Sequence, residues 1–370
     1  MTIAGTVWAS SGMSAGRAIS NQMAAMKTVR LRLIANEGAP LITTRHPDAA
    51  GNKFGFEGGR IIKAGSDYHL FTSEMVAEPI FVKMKLAYWR SGDGVNWRRV
   101  STLYESTGEY EGRDPRAALW APMPIYDPEE ERWNLFYVAY HSAPNSGGNL
   151  QTNYHGEIWR ATSQISGIEG LAGPYKDEGI ILAPGRDSDP WEGFQGTDSF
   201  FPYRAGRAWY AFYGSCTVPL PLGSGDNTMK PPFWWVGLAT APRMAGPWKR
   251  MSKMNPIPIE KVFIENPIVM ELDGGGYVCI YDTQVPDAIG YAFSSDGVHW
   301  QPGNSLVIQS QPGVWSHDVR TPLGLVRDNR DEYFLYYTGY EAAPDWNKLL
   351  EGNGEGASCA VGRAKIRVES

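Results

Sequence analysis

The sequence predicts an all-β chain: a five-bladed β-propeller preceded by a short, partly helical N-terminal extension. Three observations carry this expectation. The 370 residues include 14 Trp, 19 Tyr, 42 Gly and 26 Pro, a composition suited to short strands punctuated by turns. One strand pattern recurs five times. Two turn motifs far apart in the chain, Ser91-Gly-Asp-Gly-Val-Asn-Trp97 and Ser295-Asp-Gly-Val-His-Trp300, are close copies.

Residues 12–34, rich in Ala and Met and free of Pro, read as the best helical stretch. Residues 1–38 are therefore assigned to the extension and 39–370 to the propeller. The extension is expected to cap the propeller or to pack on another copy of the chain through Met13, Met23 and Met26, giving a homo-oligomer. The repeat begins beyond it. Opening strands are expected at 58–63, 121–126, 199–204, 267–272 and 321–327, and aromatic strands begin at Tyr68, Trp133, Trp209, Tyr277 and Tyr333. Small-residue strands follow at 86–91, 157–163, 236–241, 289–295 and 358–364. Units starting near 57, 120, 198, 265 and 318, each closed by a fourth strand, describe radial repetition. The competing arrangement is an irregular β-sandwich. In each copied turn the Asp-Gly pair supplies the positive φ of a tight reversal, and the Trp is expected to cap the packing between adjacent sheets.

Charge and cysteine usage narrow the chemistry. With 34 basic against 40 acidic residues the net charge is −6, which leaves no basic excess for a nucleic-acid partner. Cys216, Cys279 and Cys359 lack the spacing of a zinc site or a disulfide framework and read as buried thiols. No apolar run reaches the roughly 18 residues of a membrane span, and no signal peptide is seen, so a cytoplasmic location is expected.

In a propeller the residues just ahead of each opening strand converge on one mouth of the central channel. Those positions carry Glu57, Trp120, Asp198, Glu265 and His317. Carboxyl groups at an apolar centre are costly unless they are paired or used. Three acids round one cavity suit glycoside hydrolysis: one protonates the leaving oxygen, one activates water or attacks the sugar, one tunes and positions. Arg60 and Arg320 are candidates to clamp a sugar hydroxyl or hold a carboxylate. Trp120, Trp191 and Trp315 are candidates to stack on sugar faces, and Gln195 and His155 to reach the rim. No cofactor and no metal is expected; the partner is an oligosaccharide or glycoside.

These motifs resemble the five-bladed propeller glycosidases, glycoside hydrolase family 43 and its relatives in families 32, 117 and 130, over roughly residues 40–366. The stretch from Thr197-Asp198-Ser199 to Gly214 is similar to the third-blade strand whose Asp modulates the acid's pKa. Ile264-Glu265-Asn266-Pro267 resembles the fourth-blade motif of the general acid, and Trp120-Ala-Pro122 the second-blade motif. Ser316-His317-Asp318 sits where the family often has a cavity-lining His. The resemblance implies Glu265 as acid, Asp198 as tuner and Glu57 as base or nucleophile. The family's first-blade residue is Asp followed by Pro, whereas Glu57 is followed by two glycines, so Glu74, Asp48 and Asp114 stand as alternatives. The implied activity is removal of a terminal, furanosidic sugar, exo-acting and inverting as in family 43, although family 32 retains. Segments 315–356 and 219–232 would wall off one end of the channel. The alternatives are a phosphorylase of the family 130 type, echoed by Asp114-Pro115-Arg116, and a non-catalytic carbohydrate-binding propeller.

Overall fold

The computed structural model describes residues 29–144, 152–217, 233–308 and 315–369. Most of the expected helix lies outside the described residues, but its end is corrected. Arg30–Asn36 is a strand, β1. The physical reason lies in the pattern: Val29 and Leu31 are buried whereas Arg30 and Arg32 are exposed, an alternation of period two that only a strand satisfies.

Four-stranded antiparallel meanders then succeed one another. The first is β2 (Gly55–Ala64), β3 (Asp67–Ala77), β4 (Lys83–Ser91) and β5 (Arg98–Glu105). The second is β6 (Ala118–Asp127), β7 (Arg132–Ser142), β8 (Asn153–Ser166) and β9 (Tyr175–Leu182). The third is β10 (Asp198–Ala205), β11 (Ala208–Cys216), β12 (Trp234–Ala241) and the short β13 (Lys249–Arg250). The fourth is β14 (Ile264–Glu271), β15 (Tyr277–Thr283), β16 (Ala288–Ser294) and β17 (Asn304–Val307). The last is β18 (Asp318–Arg327), β19 (Glu332–Tyr340) and β20 (Cys359–Glu369), and its fourth strand is β1, paired antiparallel with β20. A short helix, α1 (Trp346–Leu350), lies between β19 and β20 and is capped by the Asp345 carboxylate, which accepts from the Lys348 amide at 3.3 Å.

The first strands touch in sequence, β2 with β6, β6 with β10, β10 with β14 and β14 with β18, and β18 returns to β2. The meanders thus form a closed ring with their opening strands innermost. At the seam Gly55 bridges Cys359. A Cβ at Gly55 would sit 1.7 Å from the Cys359 carbonyl oxygen, so only glycine allows this approach.

The copied turns behave alike. Gly94 and Gly297 have φ of 74° and 75°, and their amides donate to the Ser91 and Ser294 hydroxyls, each at 2.9 Å. Asp93 accepts from the Val95 and Asn96 amides, and Asp296 from those of Val298 and His299, all at 2.8 Å. These donors hold both carboxyls well below the usual carboxylate range. Trp97 meets Tyr336 of the last meander edge-on, and Trp300 packs on Phe212 of the third, so each Trp joins its own sheet to the one before. Cys216, Cys279 and Cys359 are buried, and none of them is in a disulfide. Among the described residues no helix is long and apolar enough to cross a membrane.

Candidate active site

A cavity of about 330 Å³ opens where the innermost strands begin, at the small end of the range for ligand pockets. Its lining includes Glu57, Trp120, Gln195, Asp198, Glu265 and Arg320, each from the start of an opening strand or the loop leading to it. One backbone device delivers them. The ladder between first and second strand slips just after Glu57, Trp120, Asp198 and Glu265, and the next residue takes a positive φ: Gly58 (69°), Ala121 (51°), Ser199 (52°) and Asn266 (50°). A bulge of this kind bends the strand and re-aims one side chain, here towards the channel. The Ser199 hydroxyl ties two of the bulges, donating to Asp198 Oδ2 at 3.1 Å and accepting from the Asn266 amide at 3.2 Å.

The polar groups form one network. Gln195 Nε2 lies 3.1 Å from Asp198 Oδ2 and 3.4 Å from Glu265 Oε1, bridging two carboxyls. The Tyr140 hydroxyl, from the second meander, also hydrogen-bonds Asp198. Arg320 Nη2 stands 2.9 Å from Glu57 Oε1 and 4.0 Å from Glu265 Oε2. Arg320 Nη1 is 2.8 Å from Asp282 Oδ2, off the hydrogen-bonding direction, so that contact is an ion pair by charge alone. The guanidinium lies over the Trp346 ring at 4.8 Å. The Tyr340 hydroxyl reaches Glu57 Oε2 at 3.5 Å.

Burial sets the protonation states. Glu265 is pushed well above the usual carboxylate range, first by desolvation and then by the Asp198 charge, against the pull of Arg320. Desolvation also raises Asp198, against its hydrogen bonds from Tyr140 and Ser199. Asp282 is pushed up to about 7 by burial, with Arg320 opposing. Such perturbed acids in one cleft are the electrostatic mark of a functional site.

Five sequence-predicted binding residues do not line the cavity. Arg60 turns towards the second meander, donates to the Pro124 carbonyl at 2.6 Å and lies over Phe201; burial lowers its pKa to about 10. Trp191 is 8% exposed and packs on Tyr213, with Nε1 towards Asp189. His155 stands edge-on to His141. His317 is exposed, and its amide donates to the Tyr340 carbonyl; β18 begins one residue later, so Arg320 and Thr321 supply the last meander's side chains to the cavity. Trp315 stacks on Tyr337 instead. The alternative acids also lie elsewhere. Glu74 pairs with Arg99 at 2.8 Å, Asp48 accepts from the Arg99 amide, and Asp114 from that of Arg116.

Sequence reasoning expected a wall from segment 315–356, which supplies Trp346 and Leu350, and missed the other walls. Phe81, Tyr140, Asn153, Trp234 and Phe263 also line the cavity, from second strands, third strands or loops. Phe81 holds φ at 69°, and its carbonyl accepts from Trp120 Nε1 at 3.1 Å and Asn153 Nδ2 at 2.9 Å. The Asp282 signal was present, because the register sets it opposite Glu265 on β15.

No family model and no curated protein matches the chain by sequence. Its fold does match solved structures. A family 117 glycoside hydrolase of the marine bacterium Zobellia galactanivorans superposes with a TM-score of 0.57 at 11% identity, covering 92% of this chain and 90% of the other. The protein BT0996, solved as an RGII complex, gives 0.61 at 13%, covering 90% and 92%. An α-L-arabinofuranosidase of Lactobacillus brevis gives 0.55 at 14%, covering 88% and 91%. The chain therefore has the fold of the propeller glycoside hydrolases, the class its motifs resemble.

Proposed function

We propose that the protein is a glycoside hydrolase whose five meanders are the blades of a propeller, acting without a cofactor on a terminal sugar. The observation that carries this is the convergence of Glu57, Asp198 and Glu265 on one small aromatic-walled cavity. Glu265, kept protonated by burial and by Asp198, gives its proton to the glycosidic oxygen as the C–O bond breaks. Glu57 takes the proton of the water that adds to the anomeric carbon. Asp198, bound by Gln195, Ser199 and Tyr140, holds the acid in place and in its protonated form. Glu57 and Glu265 share Arg320 Nη2, so their nearest oxygens are at most about 7 Å apart, a bound that spans the retaining spacing and reaches the narrow end of that for inversion. The likeness to family 43 supports that outcome.

Trp120, Trp234 and Trp346 offer stacking faces. Trp346 and Leu350 come from the segment 315–356 and wall one side, which supports exo action on a furanoside-sized unit; the other expected wall, 219–232, lies outside the described residues. The phosphorylase reading loses its support. Arg116 pairs with Asp177 rather than entering the cavity, and Arg320, the cation in the described lining, is already paired with two carboxylates. The test is a screen of 4-nitrophenyl furanosides and pyranosides with and without phosphate, with Glu265→Gln as control. Phosphate-independent release that the variant lacks supports the assignment. Release from no substrate, or equal release by the variant, removes it.

A further inference from the structure

The site holds a fourth carboxyl that the hydrolytic scheme does not use. Asp282 lies on β15, directly across from Glu265 on β14, and is 1% exposed. It does not line the cavity, so it does not meet substrate. Its neighbour is Arg320 Nη1, at 2.8 Å, while the other arm of that guanidinium faces Glu57 and Glu265.

We propose that Asp282 is a positioning residue that holds Arg320 midway between the two catalytic carboxyls. The inference rests on the hydrolase reading above. In one turnover Glu265 loses its proton to the leaving oxygen and Glu57 gains one from water, so a unit of negative charge moves from Glu57 to Glu265. Arg320 Nη2 stands between the two, nearer to Glu57. A guanidinium anchored at its far arm serves both charge states; freed of that anchor it would settle on Glu57 and leave the developing Glu265 carboxylate unpaired. Burying Asp282 is costly without such a use.

The groups facing this trio come from every strand around it: Asp198 on β10, Asp318 on β18, Tyr340 on β19 and Cys359 on β20. Asp282 adds negative charge beside Glu265 and helps it keep its proton, whereas Arg320 opposes this.

Asp282→Asn keeps the volume and removes the charge. On the best 4-nitrophenyl glycoside of the screen, kcat is expected to fall by about tenfold or more with KM within about threefold, since transition-state stabilisation is lost without loss of ground-state contacts. The upper limb of the pH profile, set by loss of the Glu265 proton, should move down by about one pH unit. Asp282→Glu, which restores the charge, should return the limb towards the wild-type position. A parent-like pH profile in Asp282→Asn, while Glu265→Gln is inactive, overturns the positioning role and spares the hydrolase reading. If Glu265→Gln is as active as the parent, or no glycoside is cleaved, the hydrolase reading fails and this proposal falls with it. A thermal melt of each variant at the assay pH checks that it is folded.

Discussion

Glu57 and Glu265 face the same nitrogen of Arg320, at 2.9 Å and 4.0 Å. One cation thus serves two carboxyls from opening strands that are not neighbours, β2 and β14, and it comes from β18, which lies between them in the ring. Removing it exposes how the site is balanced. Arg320→Ala would strand Glu57 and the fully buried Asp282 without a counter-charge. The expected cost is about 3–5 kcal/mol of stability, read from denaturant unfolding; a loss below about 1 kcal/mol would show that the pairing is not a structural necessity.

Asp198→Asn removes a charge and little volume. The fold should persist, because the amide oxygen still accepts from Tyr140 and Ser199. The proton on Glu265 should become easier to lose, since the Asp198 charge is the second cause of its raised pKa. We expect kcat/KM to fall at least a hundredfold. A loss of no more than about tenfold, ~1.4 kcal/mol of barrier, would take Asp198 out of the catalytic set.

The contribution of Asp282 to stability should fall as pH rises from acid towards neutrality. Asp282 titrates at 3.8 when unperturbed and at about 7 in the fold, and Glu265 is raised as well. A carboxyl with a raised folded pKa binds its proton more tightly in the folded state, so its favourable contribution is present below the unfolded pKa and fades as pH climbs through the folded one. Between pH 4 and 7.5 the wild type should lose roughly 3–4 kcal/mol more than Asp282→Asn. Parallel melting curves for the two proteins across that range would contradict the placement of Asp282 in a desolvated site.

The start of the described chain separates two truncations. Removing residues 1–28 leaves Val29, Leu31 and β1 in place, and the remainder should fold with a melting temperature near that of the full chain. Removing 1–37 deletes the strand that completes the last meander, including two core side chains, and should cost several degrees or abolish folding. Equal melting temperatures would mean that β1 adds nothing.

The recurring aromatic strands and the copied Asp-Gly turns were legible because period-two patterning and positive-φ residues write themselves into local sequence. So were Glu57, Trp120, Asp198 and Glu265, since each precedes an opening strand. The bulge that makes these positions equivalent was not legible: its left-handed residue is Gly, Ala, Ser or Asn in turn, and only the first and last suggest that conformation. Arg320 is legible as a candidate and lines the cavity, whereas His317, the other candidate of that segment, does not, because the start of β18 is set by its pairing with β19. Arg60 and Trp191 have the right chemistry, but their facing neighbours, Phe201 and Tyr213, are distant in sequence. The end of the extension was misread although the alternation Val29-Arg-Leu31-Arg-Leu33 was present, because the Ala- and Met-rich stretch before it carried the helical reading too far.

The central claim is that Glu265 donates the proton. An acid catalyst matters most where the leaving group is poor, and an activated aryl group departs with little help. The measurement is kcat/KM of Glu265→Gln and wild type on two substrates with the same sugar, one a 4-nitrophenyl glycoside and one an alkyl glycoside or oligosaccharide. The account predicts a loss on the poor leaving group at least about a hundredfold greater than on the aryl glycoside. Equal losses on both would contradict it and move the acid role to another residue.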